Sequence, residues 1–587
     1  MPVGRMVGGG PRNTFRHDVG PPGSAAGGHL AGTIASMTSH EPTKVLVAVA
    51  WPYAQGPLHL GHMAGAYLPA DIYARYRRSL GDDVLMVSGS DVHGTPITVR
   101  ADEMGVTPQE IVDKFHPEFL TYWDDLDIAW DLFTTTGTET HREVVQGFFL
   151  KLLENGYLYR HTTEQYFDEQ EDRFLPDRYV EGTCPNCGYL DARGDQCDNC
   201  GKTLDPIDLI DPRSKLSGTT PVLRETEHYY WKLSAFNEPL LAWLKQQEGW
   251  RPHVVNFAVG MVGEGLHDRA FTRDLDWGIP LPVDDIGPGK SIYVWWEALM
   301  GYFSAPQEWA KLQGDPDAWR AWWEDPKAET YYFVGKDNIP FHAIYWPALI
   351  MGHGGLNLPT DVPANQYVTF GGLKASKSRG VGRPLGWYLD RFETDGLRYA
   401  IAQSLPESND TDLSDDEIVR RVNDELVAAW GNLVNRVVSM TSRYFDGVVP
   451  TPGDLSEADS AALERSVATL EETGAALDAV RLRAGIARAM HGAQDANAYL
   501  SDLAPWQTAK TDMERTATTL WVAIQLVATT AVSLSPYLPS SSRKVLEAVG
   551  VMVPDRGPSW TTPVVASGTV LGDLGPLFAK VEIEPED

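Results

Sequence analysis

Lys44-Val-Leu-Val-Ala-Val-Ala-Trp51-Pro-Tyr-Ala-Gln-Gly-Pro-Leu-His59-Leu-Gly-His62 decides the fold. Its first half is an uninterrupted apolar run, which suits a strand buried on both faces of a parallel sheet; a Gly/Pro turn follows. A helical pattern then runs from about Leu60 to Ser79. Asp82-Asp-Val-Leu-Met-Val-Ser-Gly89 reads as a second buried strand, with a further helical stretch through Phe115. Ser291-Ile-Tyr-Val-Trp-Trp296 and Glu329-Thr-Tyr-Tyr-Phe-Val-Gly335 read as later buried strands. This alternation predicts an α/β fold, a Rossmann-type doubly wound parallel sheet. Residues 155–250 hold every cysteine and read as an insertion into it. From Asp412 onward the apolar period is almost entirely helical, with proline joints near Pro450 and Pro505, which predicts a C-terminal all-α bundle.

The expected organisation is a disordered tail over 1–42 and the two halves of the sheet domain over 43–154 and 251–360. The insertion (155–250) lies between them, a lysine-bearing loop region spans 361–411, and a helical domain covers 412–587. The tail is rich in Gly, Pro, Ser and Ala; its Arg5 precedes glycines rather than an apolar stretch, so it is a poor signal peptide, and Met37 is an alternative start. With 43% hydrophobic and 22% charged residues over 587 positions, a disordered or collagen-like chain is excluded. Leu520 to Leu534 comes nearest to a membrane span, but Gln525, Thr529 and Thr530 interrupt it; a packed helix and no membrane association are expected. A formal charge of −31 argues against general nucleic-acid binding while allowing a local basic track.

The four cysteines form two hooks, Cys184-Pro-Asn-Cys187 and Cys197-Asp-Asn-Cys200, each followed by glycine. That spacing suits one tetrahedral Zn²⁺ whose four positions are all filled by thiolate, hence a structural ion. A thioredoxin-like redox pair needs only one hook, and an iron–sulfur cluster is the other rival. Clustered thiols with none elsewhere point to a reducing compartment, so the expected location is cytoplasmic.

Two further motifs carry chemistry. His59-Leu-Gly-His62 sits where the first strand meets its helix; backbone amides there attract phosphate, two imidazoles add donors, and Gly61 permits close approach of a flat group. A glycine turn with two surface histidines is the plainer alternative. Gly371-Gly-Leu-Lys374-Ala-Ser-Lys377-Ser378-Arg379-Gly380 has the composition of a polyphosphate clamp, or of an ordinary solvated basic loop.

In this order the two motifs resemble the signatures of class I aminoacyl-tRNA synthetases, with Ala375 replacing the methionine of the Lys-Met-Ser-Lys-Ser element. The resemblance is most specific to the methionyl-tRNA synthetase family, over roughly residues 44–510. It is carried by Trp51-Pro-Tyr53, Ser90-Asp91-Val-His93-Gly-Thr-Pro, Phe174-Leu-Pro-Asp-Arg178 and the cysteine knuckle, then by Tyr293-Val-Trp295, Gly335-Lys-Asp337 and Phe341-His342-Ala-Ile-Tyr-Trp346. It implies ATP-driven activation of L-methionine and its transfer to tRNA(Met), with Mg²⁺ accompanying ATP. By the same resemblance His59, His62, Lys374 and Lys377 are catalytic, and Pro52, Gly61, Gly335, Asp337 and Lys377 hold ATP. Asp91 receives the substrate ammonium; Tyr53, Trp295, Ala298, Tyr302, Phe341, His342 and Trp346 enclose the thioether. Asn432, Arg436 and Trp506 read the anticodon. A loop cap for Asp91, core packing for the tryptophans and a helix cap for Asn432 are the structural alternatives.

Three positions depart from the family pattern. Trp51 stands where leucine is common, Leu299 where some members have proline, and Asn365 where a histidine is expected. The leucine, isoleucine and valine enzymes of the class normally hold a large editing insertion that this chain is short for, and the cysteine enzyme needs zinc with an open position. A catalytically idle tRNA-binding paralogue would be expected to lose a signature His or Lys377. A monomer is expected.

Overall fold

The computed structural model describes residues 40–202, 204–374 and 382–583; Lys377 and the rest of 375–381 lie outside them, as do the first 39 residues. Residues from Pro42 onward form one compact unit. Its centre is a five-stranded sheet built from β1 (Lys44–Val49), β2 (Asp83–Ser90), β3 (Leu132–Thr135), β4 (Glu329–Gly335) and β5 (Ala364–Asn365), ordered β5-β4-β1-β2-β3. Every pairing is parallel. The order reverses between β1 and β4, so the crevice at their carboxyl ends is the natural ligand position. Val45 through Val49 are fully buried, as strands covered by helices on both faces must be.

The helix after β1 runs in three pieces: Leu60–His62, a wider π turn Met63–Tyr67, and Leu68–Ser79. The stretch after β2 is longer than expected and is two helices. Thr95–Met104 ends at the left-handed Gly105, and Pro108–Asp125, started by a Thr107/Glu110 capping box, passes well beyond Phe115. One expected strand is corrected. Only Ser291–Ile292 is extended, paired antiparallel with Thr272–Arg273 outside the main sheet; Val294–Leu312 is a helix. Its buried Trp296, Leu299, Met300 and Phe303 recur at helical spacing, which a six-residue, largely apolar window cannot distinguish from a strand.

Between β3 and β4 lies the cysteine-bearing insertion. A long antiparallel ribbon, Leu158–Asp168 with Val222–Trp231, projects a small sheet of Val180–Thr183, Ala192–Arg193 and Ile210–Ser214. The C-terminal part is an α bundle whose long members are Glu457–Asp478, Leu482–Leu503 and Met513–Leu534. The last is long and apolar enough to cross a membrane, yet it is buried from Thr516 to Leu534 and serves as the bundle's central helix. Residues 549–583 depart from the helical expectation: they form an irregular strap, whose Trp560 amide donates to the Ser79 carbonyl while its ring meets Tyr76 edge-on.

Candidate active site

The first signature is a capped turn made of its own histidines. The Gly61 amide donates to His59 Nδ1 (3.1 Å) and the His59 amide to His62 Nδ1 (3.1 Å), with the rings 3.8 Å apart. Because both Nδ1 atoms accept, each neutral ring holds its proton on Nε2 as a donor. A Cβ at Gly61 would come within 2.9 Å of the His59 ring, so the glycine is needed for the cap itself. The second signature is brought to the same place. Val368–Phe370 and Leu373–Lys374 form a hairpin whose turn, Gly371 and Gly372, has both φ values positive. The backbone beyond the loop returns at Pro384, bridged to His59, and the Leu385 amide donates to Leu58 O (2.9 Å). Lys374 therefore ends the strand paired to Val368–Phe370, which packs beside the histidine turn, and Lys377 lies outside the described residues.

Beyond the end of β1, Pro52 is buried and accepts from the Asp91 amide (2.8 Å), while the Ala54 amide donates to Asp91 O (3.0 Å); Tyr53 and Asp91 thus face one another past the strand ends. The Asp91 side chain is 2% exposed and joins no ion pair among the described residues. Burial, then the charge of Glu297, pushes its pKa well above the usual carboxylate range. Its charge also raises Tyr53 and Tyr302, after burial.

Trp295, Ala298 and Tyr302 share one face of the Val294–Leu312 helix. Trp295 lies on Phe341 (centroids 4.1 Å), and Tyr302 Oη donates to His342 Nε2 (2.7 Å), whose Nδ1–H donates to Asn338 O (2.9 Å). Burial lowers the His342 pKa to about 4, so the ring is neutral with both nitrogens engaged. Trp346 is fully buried behind Tyr302, among Phe148 and Trp323, and Leu299 also points into the core. Trp51 fits because a methyl at Gly89 or Gly301 would overlap its ring. At the end of β4, Gly335 pairs with Asn365, and the exposed Asp337 accepts from Tyr367 Oη. Asn365 is 1% exposed and turned away from the crevice into the histidine helix.

Sequence reasoning missed a buried charge cluster beneath Asp91. Glu297, fully buried, accepts from His93 Nδ1 and lies 3.7 Å from His141 Nε2; His141 Nδ1 bonds Ser304 Oγ (2.7 Å). Burial acts to raise the Glu297 pKa, but the two histidines outweigh it and the net shift is downward. His93 lies within a quoted motif, and Glu297 lies two residues past Trp295; nothing local announces that they meet.

In the insertion the four sulfur ligands lie within 4.8 Å of one another, with Cys184–Cys200 at 3.9 Å and Cys187–Cys197 at 3.6 Å. The edge of a tetrahedron with metal–sulfur bonds of about 2.3 Å is roughly 3.8 Å, so the set could hold a metal ion. Gly188 and Gly201, both left-handed, close the hooks by donating to Cys184 O and Cys197 O. Asp195, inside the knuckle, accepts from Arg178 Nε (2.8 Å), and the Arg178 guanidinium lies 6.0 Å from the Tyr53 ring.

In the bundle the Arg436 guanidinium lies 5.4 Å from the half-buried Trp506 ring, and its Nη1 donates to Asn497 Oδ1 (3.2 Å). Asn432, exposed one turn before Arg436, sits inside a continuous helical run and caps nothing; its amide bonds Ala428 O (3.2 Å). Trp506 is likewise not a core residue.

A family model described as tRNA synthetases class I (M) matches residues 45–438, and one described as the anticodon binding domain of methionyl tRNA ligase matches residues 449–584. Among curated relatives, the methionine–tRNA ligase of Roseiflexus sp. (strain RS-1) is 47% identical over 92% of this chain and 97% of its own. That of Dehalococcoides mccartyi (strain CBDB1) is 49% identical at the same coverage. The crystal structure of Mycobacterium tuberculosis methionyl-tRNA synthetase bound by methionyl-adenylate superposes with a TM-score of 0.76 at 26% identity, covering 92% of this chain and 100% of that one.

Proposed function

The chain belongs to the methionine–tRNA ligases, class I tRNA synthetases that serve protein biosynthesis, and on that premise we propose how its residues carry out the reaction. The methionine carboxylate attacks the α-phosphorus of ATP; the bond to the β-phosphate oxygen breaks, and methionyl-adenylate and pyrophosphate result. A hydroxyl of the terminal adenosine of tRNA(Met) then attacks the activated carbonyl, and AMP leaves. Such steps depend on positioning and on stabilising developing charge.

His59 and His62 donate from Nε2 to the phosphates, Lys377 neutralises the departing pyrophosphate, and Lys374 anchors that loop. Pro52, Gly61 and Gly335 offer backbone to the nucleotide, and Asp337 lies toward the ribose. Mg²⁺ arriving with ATP supplies charge neutralisation on the triphosphate. Asp91 takes the methionine ammonium, and Tyr53, Trp295, Ala298, Tyr302, Phe341 and His342 surround the thioether, with Trp346 backing Tyr302. Sulfur–ring contacts add about 0.3–1.5 kcal/mol each. Neutral His342 offers no charge to repel an apolar side chain.

Zn²⁺ is the ion that the four thiolates fit, and its contribution is to the shape of the knuckle. Asp195 and Arg178 carry that shape to Tyr53. Asn432, Arg436 and Trp506 take the anticodon bases. The protein acts as a cytoplasmic monomer; a sedimentation mass near twice 64.8 kDa would overturn the monomer.

The observation that supports this reading best is Asp91: a buried carboxylate with no cation among the described residues, beside Tyr53 and at the carboxyl end of β2. The test is amino-acid-dependent ATP–pyrophosphate exchange against all twenty amino acids. Exchange with methionine alone is expected. Exchange only with cysteine or an aliphatic residue overturns the pocket, and none at all in folded, zinc-loaded protein overturns the activity in favour of an idle tRNA-binding paralogue.

A further inference from the structure

The π turn Met63–Tyr67 directly follows His62, and a π turn widens the ladder of backbone bonds around it. The fully buried Asn365 fills that place from β5: its Nδ2 donates to Ala64 O (3.2 Å) and Gly65 O (3.0 Å). Its Oδ1 accepts from Arg251 Nη1 (2.6 Å), which also donates to Ala364 O (2.9 Å). The other arm of Arg251 reaches Val480 O (3.4 Å) and lies 4.0 Å from Glu407, which itself accepts from the Arg483 amide (3.0 Å). Val480, with φ of 51°, forms the turn into the Leu482–Leu503 helix. At about 1.5 Å per residue that helix is about 33 Å long, and Trp506 lies just beyond its far end.

A second buried arginine parallels the first. Arg398 pairs with Asp71 (2.6 Å) on Leu68–Ser79 and donates to Tyr537 O (2.9 Å); Tyr537 Oη donates to Leu482 O (2.8 Å). The helical run that starts at His59 is thus held at two points from the same turn of the bundle.

We propose that Asn365 and Arg251 are positioning residues for the signature histidines: Asn365 sets the π turn on which the His59–His62 turn is mounted, and Arg251 fixes Asn365 against the bundle. Neither touches the reacting atoms. A planar amide offers an acceptor and a two-hydrogen donor together, which is what the Arg251 Nη1 donor on one side and the Ala64 and Gly65 carbonyls on the other require. The proposal rests on the reading of His59 and His62 as phosphate ligands.

The experiment compares the parent with Asn365→Leu, near in volume and uncharged, and with Arg251→Met. Pyrophosphate exchange yields KM for ATP and KM for methionine, and amide hydrogen exchange follows Met63–Leu68. In both variants KM for ATP is expected to rise about tenfold, equivalent to about 1.4 kcal/mol, with KM for methionine unchanged and faster exchange at the π turn. A fall in melting temperature with both KM values and the π-turn exchange unchanged would overturn the proposal, as would equal rises in the two KM values. If Asn365→Leu does not fold, Arg251→Met decides alone. A parent that shows no methionine-dependent exchange would instead sink the functional reading, while the hydrogen-exchange comparison would still judge the bridge.

Discussion

Asp91→Asn should make the ligand-free protein more stable and the enzyme nearly useless. The Asp91 carboxyl is 2% exposed and its pKa is driven well above 3.8, first by burial and then by Glu297. Between 3.8 and that raised value the native state holds a proton that the unfolded chain has released. Stability therefore falls as pH rises through that window, and it stays lowered above it. Asparagine keeps the shape and cannot ionise, so the variant should melt higher than the parent at pH 8, the difference shrinking toward pH 4. On the role proposed for Asp91, methionine has the opposite demand, because its ammonium needs the ionised form. Removing one partner of a buried, hydrogen-bonded charge pair costs about 2–5 kcal/mol, or about 30-fold to several thousand-fold in KM for methionine. In the parent that KM should climb as pH falls through the raised value. Thermal melts with and without methionine, alongside pyrophosphate exchange, give both numbers. A variant whose KM for methionine stays within about threefold of the parent's, or which melts lower than the parent at pH 8, would refute the reasoning. The expected outcome is stability exchanged for function at one site.

His59→Asn retains a good helix N-cap while losing the Nε2 donor. Exchange should fall about 10²- to 10³-fold in kcat, the scale of one lost transition-state donor, with little change in melting temperature; a parallel collapse of stability would mean the ring serves only as a cap. Trp506→Ala should raise KM for tRNA(Met) by the loss of one stacked base, about 1–3 kcal/mol, and leave methionine-dependent exchange intact; steady-state charging measures this. Stripping the metal with a chelator, or Cys197→Ser at a buried ligand, should release about one zinc per chain by metal analysis and lower the melting temperature. Methionine affinity should weaken with it, because Arg178 loses the Asp195 placement that holds it near Tyr53.

β1 and β2 are legible because both faces are covered: a run such as Val45–Val49 has no polar alternative. The four cysteines are legible because two Cys-x-x-Cys hooks predict one cluster, and their sulfurs do lie within 4.8 Å of one another. Ser291–Trp296 is misleading, since the five apolar residues after Ser291 fit a strand or the first turn of a helix, and only Met300 and Phe303 beyond the window decide it. The His93–Glu297–His141 cluster is invisible locally: its members come from three separate stretches of chain, and Glu297 is one of 80 acidic residues. Asn365 was conspicuous as a departure, but its task depends on a π turn that 3.6-residue periodicity does not reveal. The Arg436–Trp506 pair needed the bundle, because 70 residues of chain separate two side chains 5.4 Å apart.

The sheet order also sets a schedule for synthesis. Val45 of β1 pairs with Glu329 of β4, so the central strand's second neighbour is made roughly 280 residues after it. At about 5–20 residues per second on the ribosome, β1 would wait about 14–60 s with one edge of apolar strand unpaired. During that interval the ribbon and cysteine knuckle are translated and can fold on local contacts, while the half-built sheet remains a template for wrong partners. The nascent chain is therefore most exposed to aggregation before Gly335 emerges, and a holdase engaging lengths between about 140 and 330 residues would protect it where the finished enzyme needs no help.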